Sequence, residues 1–161
     1  MSEDPATPVR LAELDRFIDG WLDAQLHENP AVAAVERGLP GERRWYVRVH
    51  GEEKDVYTVW FTLGQRTLRY ETYVMPAPEE NHALFYEHLL RRNRSTNGVH
   101  FCIGAEDAVF LAGQLPLSAV TTDDLDRILG SIYAYVEQFF RPALRIGFAS
   151  RFQRATQRTP S

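Results

Sequence analysis

A chain of 161 residues with 44% hydrophobic, 12% aromatic and 25% charged residues has the composition of one ordinary globular domain, long enough to bury a sizeable core and neither disordered nor fibrous. The formal net charge of -4, from 18 Lys+Arg against 22 Asp+Glu, lacks the positive excess of a general nucleic-acid binder, so no nucleic acid is expected as a partner. A single cysteine, Cys102, excludes an intrachain disulfide framework and every C-x-x-C zinc or redox motif, and it fits a reducing compartment. The acidic start, Met1-Ser2-Glu3-Asp4-Pro5, has no basic segment leading into an apolar run, and no stretch approaches the ~18 apolar residues that span a bilayer. A cytoplasmic location without membrane insertion is therefore expected.

Residues 1–8 are small, acidic and proline-containing, and read as a flexible arm. Leu11, Leu14, Phe17, Ile18, Trp21, Leu22 and Leu26 then recur mostly at spacings of three and four, the mark of an amphipathic helix, with Asp15, Asp19 and Asp23 on another face. Asn29-Pro30 and Gly38-Leu39-Pro40-Gly41 bracket a segment expected to be an irregular connection.

From Arg44 the period becomes two. Trp45 to His50 reads as a strand, Gly51 to Asp55 as a polar hairpin loop, Val56 to Leu63 as a second strand, and Arg66 to Met75 as a third, giving a three-stranded meander. Pro76 and Pro78 end it. Pro78 is expected to open a helix over Glu79 to Asn93, with Glu79 and Glu80 at its positive end and Arg91, Arg92 and Arg94 at its negative end. Val99 to Ile103 and Ala108 to Leu115 read as two further strands joined by the Gly104-Ala105-Glu106-Asp107 turn. Thr121 and Asp124 form a capping box for a last helix through Leu125, Ile128, Leu129, Ile132, Val136, Phe139 and Phe140, which Pro142 should kink or end. The expected fold is thus α+β: helix, three-stranded antiparallel meander, helix, β-hairpin, helix, with a five-stranded sheet packed with helices in a single domain over 9–149. Residues 150–161 read as a basic tail.

The motifs of catalysis are missing. No phosphate-binding glycine loop is present, and the glycines at 38, 41, 51, 64, 98 and 104 read as turn positions with positive φ. His82 and His88 are six residues apart on one helix, ~240° around its axis, too far to share an ion, so neither a metal nor a cofactor is expected. His100 and Cys102, two apart on a strand, face one side of the sheet, but their Cα atoms are ~6.5 to 7 Å apart and no cysteine-protease signature flanks them. Cys102 is expected to be a small buried hydrophobe. The pairs Glu52-Glu53, Glu79-Glu80 and Asp123-Asp124 sit in turns or first helical turns, and no serine lies in a G-x-S-x-G frame.

What remains are surfaces. If Tyr57, Val59, Phe61 and Leu63 face the helices, Val56, Thr58, Trp60 and Thr62 face away, beside Arg69, Glu71 and Tyr73 of the next strand. Trp60, Tyr73 and Arg69 are the candidate protein-binding residues, set against a plain partly solvated sheet face. Charge is also uneven: residues 1–30 carry seven acids against Arg10 and Arg16, whereas five arginines and no acid follow from Arg141 onward. These blocks either pair with each other, recruit an anionic partner, or leave a solvated tail.

The succession of elements, together with Leu63-Gly64, Leu89-Leu90-Arg91-Arg92-Asn93, Phe101-Cys102-Ile103-Gly104 with Asp107, Leu115-Pro116-Leu117 and Asp124-Leu125-Asp126, resembles the YbjN-like family of bacterial sensory transduction regulators, whose domain resembles the type III secretion chaperone fold. The resemblance covers about Phe61 to Phe148 and carries no catalytic residue. It implies a non-enzymatic, chaperone-like or regulatory protein that acts as a homodimer and binds a segment of an unknown client protein. The competing expectation is a small-molecule binder or enzyme using a pocket near His100 and Cys102.

Overall fold

The computed structural model describes residues 4–152. Helix α1 spans Pro8–Glu28, and strands β1 to β4 follow at Val32–Arg37, Arg44–His50, Val56–Leu63 and Thr67–Met75. Helix α2 spans His82–Asn93, strands β5 and β6 span His100–Ile103 and Val109–Pro116, and helix α3 runs over Thr122–Gly147. The strands form one antiparallel sheet in the order β1-β2-β3-β4-β6-β5.

The sheet has six strands where the sequence predicts five. The missed one is β1, whose Val-Ala-Ala-Val-Glu-Arg run has no alternation of apolar and polar side chains to announce it. Its conformation is set from outside, by backbone pairing with β2 from Val32↔Val49 to Arg37↔Trp45, and by Arg37, which bonds both carboxylate oxygens of Asp15 at 2.6 Å and reaches Asp19 at 3.0 Å. Asp15, on the face of α1 apart from its apolar stripe, is buried between Arg37 and Arg43. The Arg37 hydrogen bond holds its carboxyl below the usual carboxylate range, against the opposing effect of burial.

Thr121 caps α3 as expected, accepting from the Asp124 backbone N–H at 3.2 Å. The helix passes through Pro142 because its last turns are held by packing: Ala143 and Gly147 are buried, and a Cβ at Gly147 would meet the Phe85 and Pro78 side chains at 2.9 Å. Helix α2 starts three residues later than predicted. Glu79 and Glu80 donate their backbone N–H groups to the Gly147 carbonyl at the end of α3, and Asn81 then takes φ 54° before the helix begins. The two glutamates consequently serve α3 and its continuation, where Ser150 Oγ donates to Glu80 at 2.8 Å and Arg151 to Glu79 at 2.5 Å. Of the glycines read as positive-φ turn positions, only Gly41 and Gly98 have that conformation; those at 38, 51, 64 and 104 turn the chain without it.

The core lies between one face of the sheet and the helices. Strand β3 alternates strictly, with Tyr57, Val59, Phe61 and Leu63 buried, and β2 buries Trp45, Val47 and Val49 on the same side. Trp21 of α1 meets Phe61 edge-on at 5.7 Å between ring centroids, and Phe139 of α3 meets Phe101 of β5 at 5.8 Å. Residues of α1, α2 and α3 all join this one cluster. Among the described residues no helix covers the other face of the sheet, whose side chains are half-buried or exposed.

Candidate protein-binding face

Strand register fixes what the uncovered face presents, because residues paired across antiparallel strands share a side. One row crosses all six strands: Glu36, Tyr46, Trp60, Glu71, Ala112 and His100. A second row contains Arg44, Thr62, Arg69 and Gln114. On the other side of the first, Tyr73 pairs with Phe110, which pairs with Cys102.

The aromatics form a chain. Phe110 stands between Trp60, at 6.1 Å, and Tyr73, at 5.7 Å, both edge-on, so three rings make one ridge across β3, β4 and β6. Trp60 is held in place by its Nε1–H, which donates to Glu71 Oε1 at 2.6 Å. Tyr73, 40% exposed, is supported from the hairpin between β2 and β3, where Lys54 lies 5.1 Å from its ring centroid. The Lys54 ammonium donates to the Tyr73 carbonyl at 3.1 Å and the Val74 carbonyl at 2.6 Å, where the β4–β6 register shifts. Burial lowers its pKa to about 8.

Beside the ridge is a hollow of about 570 Å³ lined by Arg44, Trp60, Arg69, Glu71, His100 and Cys102 among others. The structure thus brings the predicted Trp60 and Arg69 together with His100 and Cys102, and joins Tyr73 to them through Phe110. Neither Phe110 nor Arg44 was singled out from the sequence. Alternation along β6 could have placed Phe110 opposite the buried Leu111, but the β4–β6 pairing that seats it between Trp60 and Tyr73 links strands more than 30 residues apart and leaves no local mark.

Cys102 is exposed, contrary to the expectation of burial. It lies in the sheet's outermost strand and on its uncovered face, with Phe101 and not Cys102 turned to the helices. The walls of the hollow still desolvate the thiol, and this effect, with the nearby Glu71 carboxylate, pushes its pKa up. His100 Nδ1 lies 3.2 Å from Thr96 Oγ1. Among the described residues, no cluster of three or more His, Cys, Asp or Glu is placed to hold a metal ion, and no helix is long and apolar enough to cross a membrane.

A second apolar surface lies where α2 meets the β5 edge. Leu90 is 69% exposed and Ile103 56%, and with Tyr86, Leu89 and Phe101 they line a smaller hollow of about 230 Å³.

The sequence profile of the YbjN family, described as "Putative bacterial sensory transduction regulator", matches residues 18–145. The chain belongs to the YbjN family. Uncharacterized proteins of Mycobacterium bovis and Mycobacterium tuberculosis are 37% identical to this YbjN chain over 111 residues, 69% of its length, and one of Mycobacterium leprae is 33% identical over 118 residues, 73% of its length. These matches cover 61% and 64% of the relatives' own lengths, so the chain spans less than two thirds of them. Among solved structures, the ExsC–ExsE complex contains a chain similar to this one at TM-score 0.52 and 18% identity, covering 81% of this chain and 93% of that one. The Yersinia pestis type III secretion chaperone SycH, solved with a fragment of YscM2, aligns at TM-score 0.47 and 15% identity over 73% of this chain and 94% of its own. The YbjN domain therefore has the α+β, type III secretion chaperone-like fold expected of it, with six strands in place of five.

Proposed function

We propose that this YbjN domain is a non-enzymatic protein-binding module, chaperone-like or regulatory, that acts in the cytoplasm as a homodimer and holds a segment of a client protein on its uncovered sheet face. The observation that carries this reading is the Trp60–Phe110–Tyr73 ridge, an aromatic surface fixed by Glu71 and Lys54 and left without a covering layer. Buried aromatic anchors of this kind supply most of the energy of protein interfaces. The ExsC chain was solved in a complex with ExsE, which supports a partner-holding role for the shared fold by analogy. The exposed Leu90 and Ile103 beside α2 supply an apolar surface for self-association.

Affinity capture from the native cell, comparing wild type with a W60A/Y73A variant, tests the reading. A partner held by wild type should be lost from the variant, while retention of every partner overturns the assignment of this face. Sedimentation showing only monomer at high concentration would overturn the homodimer.

The hollow at His100 and Cys102 supports a second reading, a small-molecule site, since its volume falls in the range of ligand pockets, ~300 to 1,000 Å³. Burial and the nearby Glu71 carboxylate push the Cys102 thiol pKa up, which disfavours that side chain as a nucleophile at neutral pH. Calorimetric titration with small carboxylates separates this reading from the first.

A further inference from the structure

Two hollows flank the Tyr46–Trp60 pair on the uncovered face, and each is provided with arginine. The larger holds Arg44 and Arg69; the smaller, about 160 Å³, is lined by Ala34, Glu36, Tyr46, Arg48 and Thr58. Arg44 donates its Nε–H to Thr62 Oγ1 at 3.1 Å and leaves its terminal nitrogens unengaged, while Arg48 and Arg69 have no hydrogen-bond or ion-pair partner among the described residues. Among the acids near this face, Glu71 accepts from Trp60, Glu36 lies at the β1 edge, and Glu106 lies within electrostatic reach of Tyr73. The part of this face around Tyr46 and Thr62 therefore gathers three arginines, Arg44, Arg48 and Arg69, beside aromatic rings on a protein whose net charge is -4.

Geometry converts this into a pattern. Arg44 and Arg48 are four residues apart on β2, ~13 Å at a strand's rise, with Tyr46 between them on the same side. Arg69 lies two strands away in the row of Arg44, ~9.6 Å at the spacing between strands, so both guanidinium groups can approach one anion placed above Thr62. An extended peptide has the same period as β2 and also presents every second side chain to one side.

Building on the protein-binding reading, we propose that the uncovered face recognises an extended client segment of the form acid-x-apolar-x-acid. The first carboxylate sits between Arg44 and Arg69, the apolar side chain lies on Tyr46 and Trp60, and the second carboxylate meets Arg48. Glu36 shares the Arg48 hollow and repels an anion there, so the second acid contributes less than the first.

The test uses a fluorescein-labelled synthetic peptide, Ser-Glu-Thr-Leu-Thr-Glu-Ser, blocked at both ends, and its counterpart with both Glu changed to Gln, titrated against the full chain by anisotropy. The acidic peptide should bind roughly tenfold or more tightly than the Gln peptide, as expected for loss of hydrogen bonds to a charged group. R44Q/R69Q should erase that preference, R48Q should reduce it less, and raised salt should diminish it. Unchanged melting temperatures check that the variants fold. No binding of the acidic peptide, equal affinity for the two peptides, or an R44Q/R69Q variant that keeps the preference each overturns the inference. If client capture still depends on Trp60 and Tyr73 in that event, the acidic pattern falls and the protein-binding reading stands; capture independent of both residues removes the reading itself.

Discussion

Phe61 and Trp60 are neighbours in β3, yet Phe61 is wholly buried under α1 against Trp21, while Trp60 lies half-buried on the uncovered face, tied to Glu71. The same strands thus make two surfaces of different exposure and composition. On the covered face, apolar area removed from water and close packing hold the fold together. On the uncovered face, hydrogen bonds and cation–π contacts keep aromatic side chains at fixed positions where a partner can reach them.

The largest effect should separate these two residues directly. Phe61→Ala creates a core cavity and should cost about 3 to 5 kcal/mol, whereas Trp60→Ala should cost about 1 kcal/mol, both read from urea denaturation. Equal losses would erase the distinction between the faces.

Next comes Asp15→Asn, which leaves Arg37 and Arg43 without their shared carboxylate and should cost about 2 kcal/mol at neutral pH. Because the Asp15 pKa is lowered in the folded protein, its contribution is present above the ordinary carboxyl value of about 3.9 and is lost as pH falls below it. The gap between wild type and D15N should therefore narrow below pH ~4. A gap independent of pH would contradict an ionised Asp15 as the tie between α1 and β1.

Lys54→Met tests the support beneath Tyr73. The folded Lys54 pKa of about 8 lies below the ordinary value of about 10.4, so between these values the unfolded chain binds more protons and stability from this group rises with pH. Wild type should gain on K54M by about 1 kcal/mol from pH 8 to 10, and subtracting the two curves cancels Cys102, which titrates in the opposite sense. A wild type that loses stability relative to K54M over this window would be the wrong sign.

The smallest effect is at Cys102, where replacement by Ser should cost under about 0.5 kcal/mol because the residue is exposed. Native Cys102 should react with a thiol reagent without unfolding, faster as pH rises. Labelling only on denaturation would return the side chain to the covered layer.

Which parts were legible in the sequence follows from how local their causes are. The two faces of β3 were read correctly because strict alternation is written into eight consecutive residues. The Thr121 cap was legible because its partner Asp124 is three residues away. Strand β1 was not, since it depends on pairing with β2 and on Asp15 and Asp19 of α1. The start of α2 was misplaced because the Gly147 carbonyl that captures Glu79 and Glu80 lies 67 residues further along the chain than Glu80. Trp60, Arg69 and Tyr73 could be grouped from adjacent strands, but Phe110, which completes the ridge, comes from a strand whose pairing with β4 only the fold reveals, and Arg44, which completes the hollow, lies one residue before the Trp45 to His50 run that the sequence reads as a strand.

Asn93, the last residue of α2, bonds the backbone of β5 from both ends of its amide: Oδ1 accepts from Phe101 N–H at 2.7 Å, and Nδ2 donates to Phe101 C=O at 3.1 Å. A side-chain amide here imitates one peptide unit of a seventh strand and occupies the place where such a strand would register. The N–H and C=O of Phe101 at the β5 edge are thereby already engaged within the chain. At the opposite margin, β1 is interrupted by the irregularity between Val32 and Ala34. Chain-to-chain polymerisation through unpaired strands is discouraged at both ends, which allows the domain to leave a broad aromatic face open without the sheet becoming a template for fibres.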